Sequence, residues 1–580
     1  MPDTPTTLHD IAQLSAPFIV SGDHRASDYF ALLRLLLKQR RDEPSPQSDE
    51  KIQGAVNDVY LLIADEIRDN RNPPVNPVNF GTSGWRGVLG KDIHLHSVTQ
   101  VTQAIINIYE EASGNPELAA ALGVANIDEA RERGVVLGHD NRFGGEILAQ
   151  AVSNRLTSRG FKVHYAGETT TGVISAAVLV TGAAFSINLT PSHNPLEYGG
   201  FKYNAADAGP APSIITNRIT TEANRLLALE SAGDEERALP ELSTPLDSLA
   251  CWQKLVRDNK EIHGIDYDLI LGELGKRDDY VLAIDSVHGA SRVHLEALLA
   301  GIPPQRLLRF RDTNDPTFGG VAPEPSSENL AAVHRALQER SEPLKLGAII
   351  DPDGDRIRFT NGSCEFDMNM FGAICYHYLH EHKGKKGPVA KSVATSNFAN
   401  SIARGLGEEV FEPRVGFKEF KPVIGKALVM FEESDGISTI GHTPEKDAYI
   451  GLLLALDMLF NLPGGLERYL AEIQEQFGRF FPGRGGVEVS KRGAGLQQAL
   501  AGLERYQPGS TMRIGAGSKK ITEVIDIDGR KMILEDGSWL LIRPSGTEPK
   551  VRFYLESRSE SGKEELLAAA ENLLREIGLI

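Results

Sequence analysis

Cysteine is nearly absent, with three in 580 residues (Cys251, Cys364 and Cys375). Three thiols supply neither a disulfide framework nor a four-thiolate zinc site, and they are expected to be buried and reduced. Positive charge is also short: Lys and Arg total 61 against 79 Asp and Glu, for a formal net charge of −18. Such a surface repels polyanions over most of its area, so neither nucleic acid nor an anionic membrane is expected as a main partner. A small anionic ligand stays open, because a few Arg and Lys can reverse the potential inside one cleft. Long apolar runs are missing. AAVLVTGAAFSINL and YIGLLLALDMLFNL are too short to span a bilayer, and the second carries Asp457. The start, MPDTPTTLHD, has no basic stretch followed by an apolar core, so a cytoplasmic protein is the default expectation. No Walker loop, G-x-G-x-x-G or G-x-S-x-G occurs, which leaves classical nucleotide binding and α/β-hydrolase chemistry unsupported.

What remains is an ordinary globular composition, 41% hydrophobic and 24% charged, in a chain long enough for about four domains. Apolar residues recur at helical spacing in DYFALLRLLLKQRR and IQGAVNDVYLLIADEIRDN, with RDEPSPQSDE expected as the loop between them. The prolines of RNPPVNPVNF close this N-terminal extension at about residue 75. Short apolar strands then alternate with amphipathic helices: RGVVLGHD, GEILAQAVSNRLTSRG, FKVHYAG, AAFSINLT. The rhythm restarts at YVLAIDSVHGASRVHLEALLA and again between 385 and 475. Alternation of this kind predicts α/β layers with parallel pairing. The tail differs. ITEVIDIDGRKMILEDGSWLLIRPSG predicts strands joined by Asp-Gly turns, followed by the helix GKEELLAAAENLLREIG, an α+β ending. FFPGRGGVEVSKRG, rich in Gly and Pro, is expected to be the join before it.

Five segments carry residues suited to chemistry. DPDGDR follows the apolar strand LGAII and sets Asp351, Asp353 and Asp355 two apart. In a tight loop these carboxylates converge, and their mutual repulsion is relieved by a hard divalent cation, with Mg²⁺ expected. A solvated acidic turn is the plainer alternative. NLTPSHNP holds Ser192 between two prolines, a rigid loop displaying one hydroxyl that could receive and return a group; an ordinary capped turn is the alternative. RPSGTEPK offers the guanidinium of Arg543, the hydroxyls of Ser545 and Thr547 and the amide of Gly546, groups that suit a phosphate monoester. In FEESDG, Glu432 and Ser434 could grip sugar hydroxyls, and Lys446 in PEKDAY is an acid–base candidate. GTSGWRG allows close backbone approach to a ligand and supplies Arg86.

Taken in order, GTSGWRG, TPSHNP with GGFKYN, DPDGDR, VGFK, FEESDG with PEKDAY, and RPSGTEPK resemble the α-D-phosphohexomutase superfamily over residues 76 to 580. Within it the chain looks most like the phosphoglucomutases, including those that also accept mannose phosphates. The resemblance implies three similar α/β mixed-sheet domains and a C-terminal α+β domain around a central cleft. The corresponding segments are a helical extension (1–75) and domains at 76–250, 251–365, 366–482 and 483–580. It further implies that Ser192 carries the phosphoryl group. Asp351, Asp353 and Asp355 would bind one Mg²⁺ together with a phosphoserine oxygen. Glu432 and Ser434 would contact the sugar, and Arg543, Ser545, Gly546 and Thr547 would hold the non-reacting phosphate. Arg86, His193, Lys202, Arg356, Lys418 and Lys446 would be the basic positions around the reacting phosphate.

The activity this implies is interconversion of glucose 1-phosphate and glucose 6-phosphate through a phosphoserine and glucose 1,6-bisphosphate, the bisphosphate also priming the enzyme, as monomer or homodimer. One departure bears on the sugar. The phosphomannomutase form of the sugar loop ends Ser-Gly-His, whereas Asp435 and Gly436 follow Ser434 here, which tilts the expectation towards glucose and towards Lys446 as acid or base. Phosphomannomutase and glucose 1,6-bisphosphate synthase are the near alternatives. A phosphatase with Asp351 as nucleophile and a catalytically silent phosphosugar-binding protein are the distant ones.

Overall fold

The computed structural model describes residues 11–42, 46–81, 84–229, 238–544 and 550–580. Ser545, Gly546 and Thr547 of the expected phosphate loop lie outside these residues. The chain divides into two compact units. The first comprises Met1–Leu255, Leu282–Val333 and Ala348–Asp355, and the second Val256–Val281, His334–Gly347 and Arg356–Ile580.

The first unit is organised on a six-stranded mixed sheet. Its strands are β1 (Trp85–Val88), β2 (Val135–His139), β3 (Val163–Glu168), β4 (Phe185–Leu189), β5 (Tyr198–Ala205) and β6 (Ser243–Pro245), in the order β1-β5-β4-β2-β3-β6. β2 runs parallel to β3 and β4, while β5 is antiparallel to both β4 and β1. β4 is buried along its whole length, as a strand covered on both faces must be. Strand alternation divides β2 between two cores: Val135 and Leu137 join the large cluster under helix Gly145–Ser158, and Val136 packs with Ile174 and Val178 of helix Thr171–Thr181. The same unit takes in Leu282–Asp285 of β7 (Tyr280–Asp285), which pairs in parallel with β8 (Leu307–Phe310) from Leu282↔Leu307 to Asp285↔Phe310. β9 (Leu344–Ile350) delivers the chain to the DPDGDR loop.

The N-terminal extension forms the expected pair of helices, Tyr29–Asp42 and Pro46–Asp69. The expected loop RDEPSPQSDE is largely absorbed by them, because Pro46 stands in the first turn, where its missing N–H costs nothing. Leu32, Leu33, Leu36, Ile52, Val56, Val59, Ile63 and Ile67 are buried in one cluster with Trp85, Leu89 and Ile93. Fully burying a side chain of this size contributes about 1.5–3 kcal/mol, so the extension is core rather than tail.

In the second unit, β10 (Ile357–Thr360) and β11 (Glu365–Phe366) form an antiparallel pair. A four-stranded sheet follows, built of β12 (Val389–Lys391), β13 (Val410–Phe411), β14 (Val429–Glu432) and β15 (Gly436–Thr439) in the order β13-β12-β14-β15. The C-terminal sheet is antiparallel throughout: β16 (Phe481–Glu488), β17 (Thr511–Ile514), β18 (Gly517–Ile525), β19 (Arg530–Leu534), β20 (Trp539–Pro544) and β21 (Lys550–Ser557), in the order β16-β21-β20-β19-β18-β17. Helix Glu560–Glu576 covers one face through Leu566, Ala570, Leu573 and Leu574. The expected join FFPGRGGVEVSKRG is instead largely the edge strand β16. An edge tolerates Pro482, and Gly485 is needed because a Cβ there would lie 2.4 Å from the Phe553 ring. The thiols are free as expected, but only Cys375 is buried; Cys251 and Cys364 are half-buried. Among the described residues no single helix is long and apolar enough to cross a membrane.

Candidate active site

The carboxyl ends of the parallel strands in the first unit converge on one cluster. β9 turns into the DPDGDR loop at Asp351, and a backbone bond from Gly354 N–H to the Asp351 carbonyl (3.0 Å) closes the turn. Gly354 adopts φ +62°, and a Cβ there would lie 2.6 Å from Thr170 Cγ2, so only glycine fits. The turn brings Asp351, Asp353 and Asp355 together, all buried, with one carboxylate oxygen from each within 4.8 Å of the others. Lys202 Nζ donates to Asp353 Oδ2 at 2.6 Å and to Asp355 Oδ2 at 2.9 Å. Thr171 closes the far side: its hydroxyl donates to Asp353 Oδ2 at 2.7 Å and its N–H to the Asp353 carbonyl at 2.8 Å.

Three hard carboxylates at this spacing form a donor set suited to Mg²⁺. Asp353 Oδ1 is buried and has no hydrogen-bond partner among the described residues. An orphaned carboxylate oxygen inside a protein is costly unless a cation takes it, so the residues present fit a divalent ion.

Ser192 Oγ donates to Asp351 Oδ2 at 2.9 Å and lies 3.3 Å from His193 Nδ1. The serine itself has φ +57°, a left-handed conformation that costs a non-glycine residue of order 1 kcal/mol and persists only when its surroundings enforce it. Those surroundings are visible. Ser192 N–H donates to Thr190 Oγ1 (2.9 Å), whose hydroxyl donates to Asp140 Oδ2 (2.6 Å). The buried Arg142 donates to the carbonyls of Ser192 (2.7 Å), Asn194, Pro195 (2.6 Å) and Tyr198 (3.3 Å). Burial raises the Asp140 carboxyl to about 6, with Arg142 opposing. Arg86 Nη1 donates to Asn194 Oδ1 at 2.7 Å. The glycines of GGFKYN have a steric purpose: at Gly200 a Cβ would lie 2.2 Å from the Thr190 carbonyl, so β5 could not pass the serine loop.

The second unit builds its own constellation on the β14–β15 hairpin. Glu432 ends β14, is buried, and accepts Gly416 N–H of the VGFK segment at 2.7 Å. Burial and the adjacent Glu433 push its carboxyl up to about 7, with Lys446 and Arg356 pulling back. Ser434 is half-buried in the turn. Asp435 closes it with φ +70° and forms a bidentate ion pair with Arg358 (2.8 and 3.3 Å). The Lys446 stem runs across Gly436, where a Cβ would sit 2.2 Å from Lys446 Cδ. The segment before it is pinned by His442 Nε2 and Asp447 Oδ2, 2.6 Å apart. Lys418 is half-buried two residues past the Gly416 amide. Arg543, at the end of β20, pairs with Asp528 at 3.1 Å.

Of the residues singled out from sequence, Ser192, His193, Lys202, Asp351, Asp353 and Asp355 therefore meet within the first unit, and Arg86 reaches the serine loop through Asn194. Glu432, Ser434 and Lys446 share the hairpin of the second, with Arg356 in electrostatic reach of Glu432. Asp140, Arg142, Thr171 and Thr190 were not foreseen. All follow the carboxyl ends of β2, β3 or β4, where open α/β sheets gather ligands, and that rule applied to GHDNR, ETTTG and NLT would have found them.

Comparison with known proteins identifies the family. Family models for phosphoglucomutase/phosphomannomutase match in chain order: α/β/α domain I at residues 111–229, domain II at 268–362, domain III at 367–477 and the C-terminal domain at 497–573. A phosphoglucomutase/phosphomannomutase of Thermococcus kodakarensis is 27% identical over 86% of this chain and 98% of its own length. A phosphoglucomutase of Staphylococcus haemolyticus is 25% identical over 82% and 89%. The crystal structure of a putative phosphomannomutase from Thermus thermophilus superposes with TM-score 0.68 at 26% identity, covering 86% of this chain and 99% of that one. The chain belongs to the phosphoglucomutase/phosphomannomutase family, phosphohexomutases that are phosphotransferase isomerases. Its three mixed α/β domains and antiparallel C-terminal domain are the architecture of that family.

Proposed function

We propose that this protein is a Mg²⁺-dependent phosphoglucomutase, interconverting glucose 1-phosphate and glucose 6-phosphate through a phosphorylated Ser192. The observation that carries this is the hydroxyl of Ser192, a residue held at φ +57°, bonded to Asp351 of a buried carboxylate trio (2.9 Å). Phosphoserine gives its phosphoryl group to the free hydroxyl of the hexose monophosphate: the Ser Oγ–P bond breaks, the sugar O–P bond forms, and the hydroxyl proton leaves to a basic side chain. The resulting hexose 1,6-bisphosphate turns over and returns its other phosphoryl group to Ser192, reversing the same bond changes. Such transfers need alignment and charge neutralisation more than covalent invention. Mg²⁺ held by Asp351, Asp353 and Asp355 supplies neutralising charge at the transferring group. Lys202, anchored on Asp353 and Asp355, and Arg86 add to it. His193 Nδ1 stands where it can hold a proton at Ser192 Oγ.

In this reading Glu432 and Ser434 grip the sugar, Lys446 is its acid or base, and Arg356, Lys418 and Arg543 with Ser545, Gly546 and Thr547 bind phosphate. The domains follow 76–250, 251–365, 366–482 and 483–580, and glucose 1,6-bisphosphate primes the free enzyme. Glucose is favoured over mannose by Asp435-Gly436 after Ser434 where the mannose form has Gly-His. The test is glucose 6-phosphate formation from glucose 1-phosphate with Mg²⁺ and the bisphosphate, beside mannose and glucosamine phosphates. Turnover of glucose phosphate that disappears in Ser192→Ala is expected. A faster rate on mannose 1-phosphate would make it a phosphomannomutase, and phosphate release surviving Ser192→Ala would discard the phosphoserine.

A further inference from the structure

The role of the N-terminal helices follows from what they touch. Arg142 is the guanidinium on which the serine loop hangs, and the helices hold its surroundings at three points. Directly, Arg34 Nη1 in helix Tyr29–Asp42 donates to Glu197 Oε1 of the serine loop at 2.8 Å. Further along the same helix, Arg41 Nη1 donates to the Gly320 carbonyl at 2.8 Å, and Leu37 lies so close that a Cβ on Gly320 would be 3.1 Å from it. That contact fixes the turn containing Phe318, whose ring lies 4.8 Å from the Arg142 guanidinium carbon. The turn is tight enough to hold Phe318 at φ +55°, with the Asp315 carboxylate accepting from Thr317 and Gly319 N–H. From the second helix, Tyr60 stacks on Phe143, next to Arg142 in sequence, with ring centroids 4.3 Å apart. Ile67 Cδ1 lies 2.9 Å from where a Cβ of Gly144 would be.

We propose that the helices Tyr29–Asp42 and Pro46–Asp69 brace the serine loop, with Arg34, Arg41, Tyr60 and Phe318 as positioning residues that act through Glu197 and Arg142 to hold Ser192 in its left-handed conformation. The proposal rests on Ser192 being the phosphoryl carrier. A residue in αL persists only where neighbours over-determine it, and Arg142 can do this only if the guanidinium itself is clamped. Phosphoryl transfer is sensitive to sub-ångström misplacement of the nucleophile, so loosening the brace falls on turnover rather than on sugar binding, which the second unit's hairpin serves in the reading above.

The test uses the full chain and two variants, Arg34→Ala/Arg41→Ala on the exposed helix surface and Phe318→Leu in the turn. Hydrogen exchange of peptides covering Ser192–Tyr198 is expected to quicken by about tenfold in both, with peptides of the C-terminal sheet unchanged. kcat is expected to fall about fivefold with KM within twofold, and Arg34→Lys, which keeps the charge facing Glu197, restores it. Serine-loop exchange at the wild-type rate in the Arg34/Arg41 variant overturns the brace, as does an equal loss of kcat with no recovery in Arg34→Lys. The underlying reading fails separately: wild-type protein incubated with Mg²⁺ and glucose 1,6-bisphosphate would then gain no phosphoryl mass at Ser192, while the exchange experiment still decides the brace.

Discussion

The turn that carries Glu432 and Ser434 is held by a charge pair that a double-mutant cycle can weigh. Asp435 is 2% exposed and Arg358 9% exposed. Removing one partner of a buried pair leaves the other charge stranded, at about 3–5 kcal/mol. Here Asp367 and Glu365 stand near Arg358, and Arg484 near Asp435, so the lower end applies, about 3 kcal/mol for Arg358→Met. Asp435→Gly strands the guanidinium but releases a non-glycine residue from φ +70°, which returns about 1 kcal/mol. Asp435→Ala gains no such relief and should be worse than Asp435→Gly by that amount. Arg358→Met with Asp435→Gly removes both charges and should return to within about 1 kcal/mol of wild type. The local reporter is the Ile357 amide, which donates to the Asp435 carbonyl at 2.8 Å. A loss of about 3 kcal/mol speeds its exchange roughly 100-fold in Arg358→Met, and the double variant recovers most of it. KM for glucose 1-phosphate should rise and recover in parallel. A double variant in which the two losses simply add, so that it exchanges faster than either single and the coupling is below about 0.5 kcal/mol, refutes the pair as the anchor of this turn.

Thr171→Val removes the hydroxyl that orients Asp353, and Mg²⁺ affinity measured by titration calorimetry should weaken about 10- to 100-fold, as for other outer ligand-orienting groups. Chelation should abolish mutase turnover and added Mg²⁺ restore it, while the far-ultraviolet circular dichroism stays unchanged because Lys202 already bridges Asp353 and Asp355. Glu412 is expected to govern acid stability of the second unit. Burial works against its charge, but Lys391 (2.9 Å) and Lys531 (2.8 Å) outweigh burial and hold its carboxyl down at about 2. A depressed carboxyl stabilises fully above its ordinary value near 4.5 and loses that contribution as pH falls towards 2. The loss is about 3 kcal/mol, so urea midpoints followed from pH 5 to pH 2 should fall more steeply in wild type than in Glu412→Gln.

Much of the architecture was legible because its signals are local. Period-2 and period-3.6 patterns marked the strands and helices, and Asp-Gly turns marked the C-terminal hairpins. Gly529 shows why such a turn is reliable: a Cβ there would meet the Ile542 carbonyl at 2.4 Å. The misreadings also had local causes. Pro46 read as loop because proline usually breaks helices, yet it begins one. The glycines of β16 read as a join, since what demands Gly485 is the ring of Phe553, far along the chain and across the sheet.

Residue identities alone determined the chemistry on offer: three aspartates spaced two apart, one serine between prolines, and a turn with an acid and a hydroxyl, each a property of a few adjacent residues. Tertiary structure decided what surrounds them. Arg142 and Thr171 became parts of the serine and aspartate cluster only because parallel strands end side by side; Thr190, two residues from Ser192, meets Asp140 for the same reason. The N-terminal helices reach the serine loop only because burial drives their apolar faces onto the same core. Covalent spacing reaches a few residues along the chain, whereas Arg142 and Ser192 lie 50 residues apart, Arg34 and Glu197 163, and Thr171 and Asp353 182, and packing brings them together.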